Sequence, residues 1–110
     1  MNKTITRERL FQKLKDKEPF KIIEALPKNF FDAGHLPTAL NIPLDNLKQR
    51  SKEILPNKEE LIVVYCSNLE CNNSNLAQTK LEEFGYTNVL EYKEGKQHWL
   101  EAELPIEAIS

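Results

Sequence analysis

The sequence contains no apolar run long enough to cross a lipid bilayer. Its longest unbroken run, residues 61–66, falls far short of the roughly 20 residues that a membrane-spanning helix needs. Residues 1–9 are polar and lack the apolar stretch of a secretory signal peptide. We therefore expect a soluble, cytoplasmic protein with no membrane partner.

Basic residues are scarce relative to acidic ones. The 110-residue chain has 15 lysines and arginines against 17 aspartates and glutamates, which gives a net charge of -2. Domains that bind nucleic acid usually carry a basic excess, so we expect no nucleic-acid partner. Cysteine is also rare, since only Cys66 and Cys71 are present. Two cysteines are too few for a disulfide scaffold, and in a cytoplasmic chain they are typical of reactive, redox-active or buried thiols.

The sequence does contain a regular alternation of apolar runs and amphipathic segments. Apolar residue types make up 40% of the chain, which is enough for one hydrophobic core. Strands are predicted at residues 20–25, 39–42, 61–65 and 89–92. The third of these is entirely apolar, as is typical of a strand covered on both faces of a parallel sheet. The pattern predicts an α/β domain with a mostly parallel sheet and helices on both faces.

Helices are predicted in the segments around these strands. Apolar residues recur at helical spacing over residues 10–14, 44–55 and 77–84. Thr6 is the expected N-cap of the first helix. For the third helix, Ser74 is the expected N-cap and Gly85 is the expected C-terminal stop.

The polar loop that follows the third predicted strand has the clearest chemical content. Cys66 begins this loop, and ligands of open α/β sheets bind beyond the carboxyl ends of the strands. The N–H groups of a short loop and the N-terminus of the next helix would lower the pKa of such a cysteine. The resulting thiolate is a good nucleophile toward sulfur. From these features alone, Cys66 is equally consistent with a nucleophile and with a thiol buried in the core.

Four motifs, in order along the chain, resemble those of rhodanese-like domains. Residues 31–43 (FDAGHLPTALNIP) resemble the family's aGHIPGAiNIP signature, and residues 63–66 (VVYC) resemble its active-site strand and nucleophile. Residues 85–89 (GYTNV) resemble a third family motif, and residues 94–107 resemble the family's C-terminal ending. The resemblance extends over nearly the whole chain.

This resemblance implies a single rhodanese-like domain over residues 1–110. The implied fold is a five-stranded, mostly parallel sheet flanked by helices on both faces. The implied activity is that of a sulfurtransferase, which carries sulfane sulfur as a persulfide on Cys66 and passes it to a thiol acceptor. A small sulfur donor or a protein persulfide would load the cysteine. Neither a metal nor an organic cofactor is implied, and the oligomeric state is not addressed.

The segment after Cys66 is implied to be the loop that binds an anion or substrate. Its expected members are Ser67, Asn68, Leu69, Glu70, Cys71, Asn72, Asn73 and Ser74. Active family members usually have a shorter loop with glycine and arginine, whereas this loop has neither and contains an acidic residue. One charge-assisted hydrogen bond contributes about 1.5–3 kcal/mol, so we expect weak activity with thiosulfate.

Cys71 is a candidate resolving thiol. Together with Cys66 and Ser74 it fits a C-x4-C-x2-S variant of the family loop. A resolving thiol would attack a persulfide on Cys66 and release sulfide, whereas the other interpretation of Cys71 is a buried structural thiol. Two alternatives to sulfur transfer stay open: a non-catalytic rhodanese-like interaction or sensing module, and a Cys66–Cys71 thiol–disulfide redox switch.

Neither histidine is expected to be catalytic. His35 lies in a Gly-His-Leu-Pro turn, where we expect it to hydrogen-bond the backbone. His98 is expected at the surface, beside a Trp99 that packs in the interior. The spacing of the cysteines and histidines does not match a zinc site.

Overall fold

The helices and strands alternate along the chain, as the apolar pattern predicts. The computed structural model describes residues 3–108, and its elements are, in order, α1 (Arg7–Lys15), β1 (Lys21–Glu24), α2 (Lys28–Ala33), β2 (Leu40–Asn41), α3 (Leu47–Ile54), β3 (Ile62–Tyr65), α4 (Asn73–Glu83), β4 (Val89–Tyr92) and α5 (Gly95–Glu101). A 3-10 helix, Leu44–Asn46, leads directly into α3. Each strand lies within its predicted range, and the α/β architecture is confirmed. Within the described residues, no helix combines the length and the apolar character needed to traverse a bilayer.

The sheet is parallel at every strand pairing, and its order is β2-β1-β3-β4. Strands β1 and β3 lie at the centre, and all four residues of β3 are buried. Because Cys66 follows β3 directly, it lies at the carboxyl edge of the sheet, near its middle. This is the edge where open α/β sheets bind their ligands.

Between residues 3 and 108 the sheet has four strands instead of the expected five. The position beside β4 is occupied by a short piece of backbone that makes a single parallel bridge between Thr4 and Glu91. The Ile5 N–H donates to the Glu91 carbonyl oxygen at 3.0 Å, and the Glu91 N–H donates to the Lys3 carbonyl oxygen at 2.9 Å. The chain then leaves the edge because Thr6 caps α1, so this pairing is too short to form a strand.

Side chains of the sheet alternate between two apolar cores. Ile62 and Val64 of β3 enter the core on the side of α3 and α4, whereas Val63 and Tyr65 enter the core on the side of α1, α2 and α5. The helices contribute Leu47, Ala77 and Leu81 to the first core and Leu10, Phe31 and Trp99 to the second. Full burial of one such aliphatic side chain stabilises the fold by about 1.5–3 kcal/mol. The prediction of helices on both faces is confirmed.

The helix ends follow the sequence signals, with one exception at α4. The Thr6 hydroxyl accepts a hydrogen bond from the Arg9 N–H, as expected of an N-cap. Gly85 follows α4 with a φ of 101°, in the left-handed region that favours glycine. The prediction that Ser74 caps α4 is wrong, because Asn72 occupies the N-cap position and Ser74 lies inside the helix, fully buried.

Candidate active site

Cys66 lies at the end of β3 and begins the loop that leads to α4. Its side chain is fully buried. The Sγ atom is 3.4 Å from the Cys71 carbonyl oxygen and 3.4 Å from Ser74 Oγ, and each of these oxygens is positioned to accept the S–H. The loop therefore folds back so that Cys71 and the first turn of α4 enclose the thiol.

The Ser74 hydroxyl links this thiol to a buried carboxylate. It donates a hydrogen bond of 2.7 Å to Oε2 of Glu91, and Glu91 is only 4% exposed. Glu91 pairs with Val64 in the register of β3 and β4, so its side chain lies on the same face of the sheet as α4. Glu91 is not among the site residues predicted from the sequence. The signal that marks it is a charged residue inside an otherwise apolar strand.

The two cysteines differ in acidity. Burial, reinforced by the hydrogen bond with Cys71, raises the pKa of the Cys66 thiol to about 11, and hydrogen bonds with Ser74 only partly oppose this. Burial also opposes ionisation of Cys71. Hydrogen bonds with the Cys66 side chain and with the N–H groups of Asn73 and Ser67 outweigh that effect and lower the pKa of Cys71. In this conformation Cys66 is therefore protonated at neutral pH, in contrast to the lowered pKa that its place in the sequence predicts.

The N–H groups of the loop are divided between the two sulfur atoms. The Ser74 N–H lowers the pKa of Cys66, whereas the N–H groups of Ser67 and Asn73 lower the pKa of Cys71. The fold thus brings Cys66, Cys71 and Ser74 together, but the loop N–H groups favour a thiolate at Cys71 more than at Cys66. The expectation that these N–H groups surround Cys66 does not describe this conformation of the loop.

The other loop residues make their contacts elsewhere. The Asn68 side-chain oxygen accepts a hydrogen bond of 3.0 Å from the Glu70 N–H and forms a tight turn. Leu69, at the tip of that turn, is 60% exposed. The Asn73 side-chain amide donates to the Ala25 carbonyl oxygen at 3.0 Å, which ties the start of α4 to the end of β1.

The N-terminus of α5 holds the loop backbone in position. The Lys96 N–H donates to the Cys66 carbonyl oxygen at 2.9 Å, and the Gln97 N–H donates to the Ser67 carbonyl oxygen at 2.9 Å. Gly95 permits this close approach because its φ is 80° and it has no Cβ. The helix therefore fixes the backbone that carries the thiol.

A cleft of about 280 Å³ lies between this loop and α5. Its lining includes the carboxylates of Glu70, Glu94 and Glu101, together with Leu69 and His98. Within the described residues, no lysine or arginine lines this cleft. Its negative charge disfavours small anions beside the loop.

A buried ion pair supports the site from the other face of the sheet. Lys96 Nζ is 3.1 Å from the Glu24 carboxylate, which also accepts a 2.6 Å hydrogen bond from the Tyr65 hydroxyl. Burial, reinforced by the charge of Glu24, raises the pKa of Tyr65. Lys96 also donates to the Gly34 carbonyl oxygen at 2.6 Å. The pair connects α5 with the ends of β1 and β3, immediately before Cys66.

The two histidines make structural contacts. His35 Nδ1 lies 3.0 Å from the Phe31 carbonyl oxygen, and its ring stacks on that of Phe31, in agreement with the predicted backbone contact. His98 Nδ1 lies 2.8 Å from the Tyr92 hydroxyl, and the residue is half-buried instead of lying at the surface. In the part of the chain that the structure describes, no group of three or more histidine, cysteine, aspartate or glutamate side chains is arranged to hold a metal.

Comparison with known proteins gives several matches. The sequence profile of the Rhodanese-like domain family matches residues 7–102. The chain is 37% identical over 79 residues to the uncharacterized protein YqhL of Bacillus subtilis strain 168, with 72% of this chain and 60% of YqhL covered. It is 38% identical over 59 residues to the thiosulfate sulfurtransferase PspE of Escherichia coli K12, with 54% of this chain and 55% of PspE covered. The matched part is thus little more than half the length of either relative.

A solved structure matches over a larger share of the chain. The solution structure of the rhodanese-like domain of the Alr3790 protein from Anabaena superposes with a TM-score of 0.86 at 27% sequence identity. The superposition covers 99% of this chain and 81% of that domain. With a profile match from residue 7 to residue 102 and this agreement in fold, the chain belongs to the rhodanese-like domain family.

Proposed function

We propose that this protein carries sulfane sulfur as a persulfide on Cys66 and passes it to a thiol acceptor. The observation that carries the proposal is the position of Cys66 at the carboxyl end of β3, facing Ser74 and Cys71, in a chain of the rhodanese-like family. The similarity to PspE, a thiosulfate sulfurtransferase, supports a sulfur-transfer reaction.

The proposed reaction has two balanced steps. In the first, the Cys66 thiolate attacks the outer sulfur of a donor persulfide, the bond between the two donor sulfurs breaks, and the donor leaves as a thiolate. In the second, an acceptor thiolate attacks the outer sulfur now held by Cys66, and the Cys66 thiolate is regenerated. Because Cys66 is fully buried, the loop that follows it must move aside in both steps.

The charges near the loop favour a persulfide donor over thiosulfate. Thiosulfate is a dianion, and residues 67–74 contain Glu70 but no lysine or arginine. The adjoining cleft adds the carboxylates of Glu94 and Glu101. We therefore infer weak thiosulfate activity, with a low-molecular-weight persulfide or a protein persulfide as the donor.

The contact between the two cysteines supports a resolving role for Cys71. Its pKa is lowered, although burial opposes this, because the Cys66 side chain and nearby N–H groups hydrogen-bond to it. The Cys71 thiolate would attack Sγ of the Cys66 persulfide and expel hydrosulfide, which leaves a Cys66–Cys71 disulfide. Two electrons from a dithiol reductant then restore both thiols.

The test starts from fully reduced protein, which is incubated with glutathione persulfide and, separately, with thiosulfate. The mass of the protein is then measured without further reduction. We expect glutathione persulfide to add one sulfur atom at Cys66 and thiosulfate to add much less. The Cys66→Ser variant should gain none. The matched Cys71→Ser variant should gain the sulfur and retain it longer. Absence of a sulfur adduct with either donor in both the wild-type protein and Cys71→Ser would contradict the proposal.

A second candidate function is a Cys66–Cys71 redox switch without sulfur transfer. The observation that favours it is the closeness of the two residues, since Cys66 Sγ lies 3.4 Å from the Cys71 carbonyl oxygen. A mild oxidant would then remove two hydrogen atoms from the protein in the absence of any sulfur donor, while glutathione persulfide would leave no sulfur adduct even in Cys71→Ser. The complete burial of Cys66 also favours a non-catalytic interaction module, in which Cys66 would react with neither reagent.

A further inference from the structure

We propose that Glu91 is a positioning residue that accepts the proton of Cys66 through the Ser74 hydroxyl. The inference rests on the proposed function and deepens it, because it concerns how the attacking thiolate forms. It assigns a chemical role to a residue on β4 that lies outside the loop.

Three groups form a continuous, hydrogen-bonded line. Cys66 Sγ lies 3.4 Å from Ser74 Oγ, and Ser74 Oγ lies 2.7 Å from Glu91 Oε2. A serine hydroxyl has a single proton, and here that proton is directed to the carboxylate. A lone pair of Oγ is therefore left to accept the S–H of Cys66.

Proton transfer along this line reverses both hydrogen bonds. Cys66 gives its proton to Ser74 Oγ while Ser74 gives its own proton to Glu91 Oε2, so no proton leaves the line and no atom is oxidised. The products are a Cys66 thiolate and a neutral Glu91 carboxylic acid. The acid now donates to Ser74, and Ser74 donates to the sulfur. A hydrogen bond donated to the charged form stabilises that form, so the transfer creates the donor that the thiolate needs.

The surroundings of the thiol make such an acceptor necessary. Cys66 is fully buried, so bulk water does not reach its proton. The loop offers no lysine or arginine to stabilise a thiolate, and burial raises the pKa of Cys66 to about 11. A carboxylate one hydroxyl away provides an acceptor within the protein.

A purely structural role accounts poorly for Glu91. Within residues 3–108 it takes part in no ion pair. A buried carboxylate without a charged partner is unfavourable for folding. A role in moving a proton gives a reason for its presence in an otherwise apolar strand.

The other titratable groups near the line come from several elements. Cys71 in the loop contacts the thiol. Lys3 is an exposed residue, and its backbone pairs with the backbone of Glu91. From α4, Gln78 packs nearby and donates to the Val89 carbonyl oxygen, but its amide does not titrate. The tyrosines of β3 and β4, Tyr65 and Tyr92, belong to the core on the opposite face of the sheet. Among the described residues, Glu91 is thus the carboxylate joined to this thiol.

The test is the pH dependence of the reaction of Cys66 with methyl methanethiosulfonate in the full-length Cys71→Ser protein, which has one thiol. With the proposed transfer, the rate rises in two steps. Loss of the first proton from the coupled pair gives a plateau through neutral pH, and loss of the second gives a further rise at alkaline pH.

Glu91→Gln and Ser74→Ala should each remove the plateau. The rate at neutral pH then falls on the order of tenfold or more, and only the alkaline step remains. Ser51→Ala is the matched control, because it removes another buried hydroxyl, one that donates to the Lys48 carbonyl oxygen on α3. This control should retain both steps.

Three results would overturn the proposal. One is a single alkaline step in the Cys71→Ser parent itself, and this result does not depend on whether any further variant folds. Another is a Glu91→Gln profile identical to that of the parent. The third is a faster neutral reaction in Glu91→Gln, because the carboxylate would then only hold Ser74 in its accepting orientation. Failure of the proposed function is a separate result: neither wild-type protein nor Cys71→Ser would then gain sulfur from glutathione persulfide.

Discussion

Gly95 lies so close to Cys66 that a Cβ at position 95 would be 2.7 Å from the Cys66 carbonyl oxygen. The same approach allows the Lys96 N–H to donate to that oxygen at 2.9 Å. The backbone of the candidate nucleophile is thus held by a helix that comes much later in the chain. Substitutions in α5 are therefore expected to affect the loop as strongly as substitutions within it.

Gly95→Ala should destabilise the protein. The φ of 80° and the contact with the Cys66 carbonyl both exclude a Cβ, so we expect a loss of about 1–3 kcal/mol in the free energy of unfolding. Gly34→Ala is the matched control, because its Cβ would meet Ile106 at an ordinary 3.6 Å. Urea denaturation measures both. Equal stability of the two variants would contradict the expected strain.

The buried Cys66 thiol should make the protein less stable in alkali. The pKa of Cys66 is about 11 in the folded state, and it is about 8.5 for an unfolded cysteine. The unfolded state thus loses this proton at lower pH, so the stabilisation is complete below about pH 8.5 and is lost as pH rises toward about 11. At pH 10 the loss should reach about 2 kcal/mol.

The comparison with Cys66→Ala isolates this contribution. Ionisation of the tyrosines affects both proteins equally. The difference in unfolding free energy between the wild-type protein and Cys66→Ala should therefore shrink by about 2 kcal/mol between pH 8 and pH 10. Urea denaturation at both pH values provides the measurement. A difference that stays constant over this range would show that the Cys66 thiol is not held in its protonated form.

Lys96 and Glu24 should be strongly coupled. Glu24 is fully buried, so Lys96→Met leaves its carboxylate without a cation and should cost about 3–5 kcal/mol. Glu24→Gln combined with Lys96→Met should recover part of that loss, because the double variant no longer buries a charge. A double-mutant cycle by urea denaturation tests this. Additive effects of the two substitutions would refute the coupling.

A cation in the loop should improve the use of thiosulfate. Glu70→Arg replaces a carboxylate of the cleft with a guanidinium, and we expect kcat/KM for thiosulfate to rise about two- to fivefold, as is typical of exposed charges. Glu83→Arg, at the exposed far end of α4, makes the same change in net charge and should have no effect. An equal response to both substitutions would mean that net charge, and not the loop, controls the reaction with thiosulfate.

The sequence predicted the strands and the site loop well because their signals are local. The all-apolar run before Cys66 identifies a central parallel strand, and Thr6 and Gly85 mark helix ends through contacts within a few residues. Ser74 shows where local reasoning fails. Serine at the start of a helix is usually a cap, but here a neighbouring strand supplies Glu91 as a closer partner for its hydroxyl.

The sequence by itself determined the α/β order, the rhodanese-like motifs and the presence of two cysteines in one polar loop. Only the tertiary structure decided what surrounds the Cys66 thiol. The register of β3 and β4 sets Glu91 on the α4 face, and the approach of α5 sets the position of the loop backbone. These contacts join residues that are far apart in the chain, so they depend on how the elements pack and not on the periodicity within any one element.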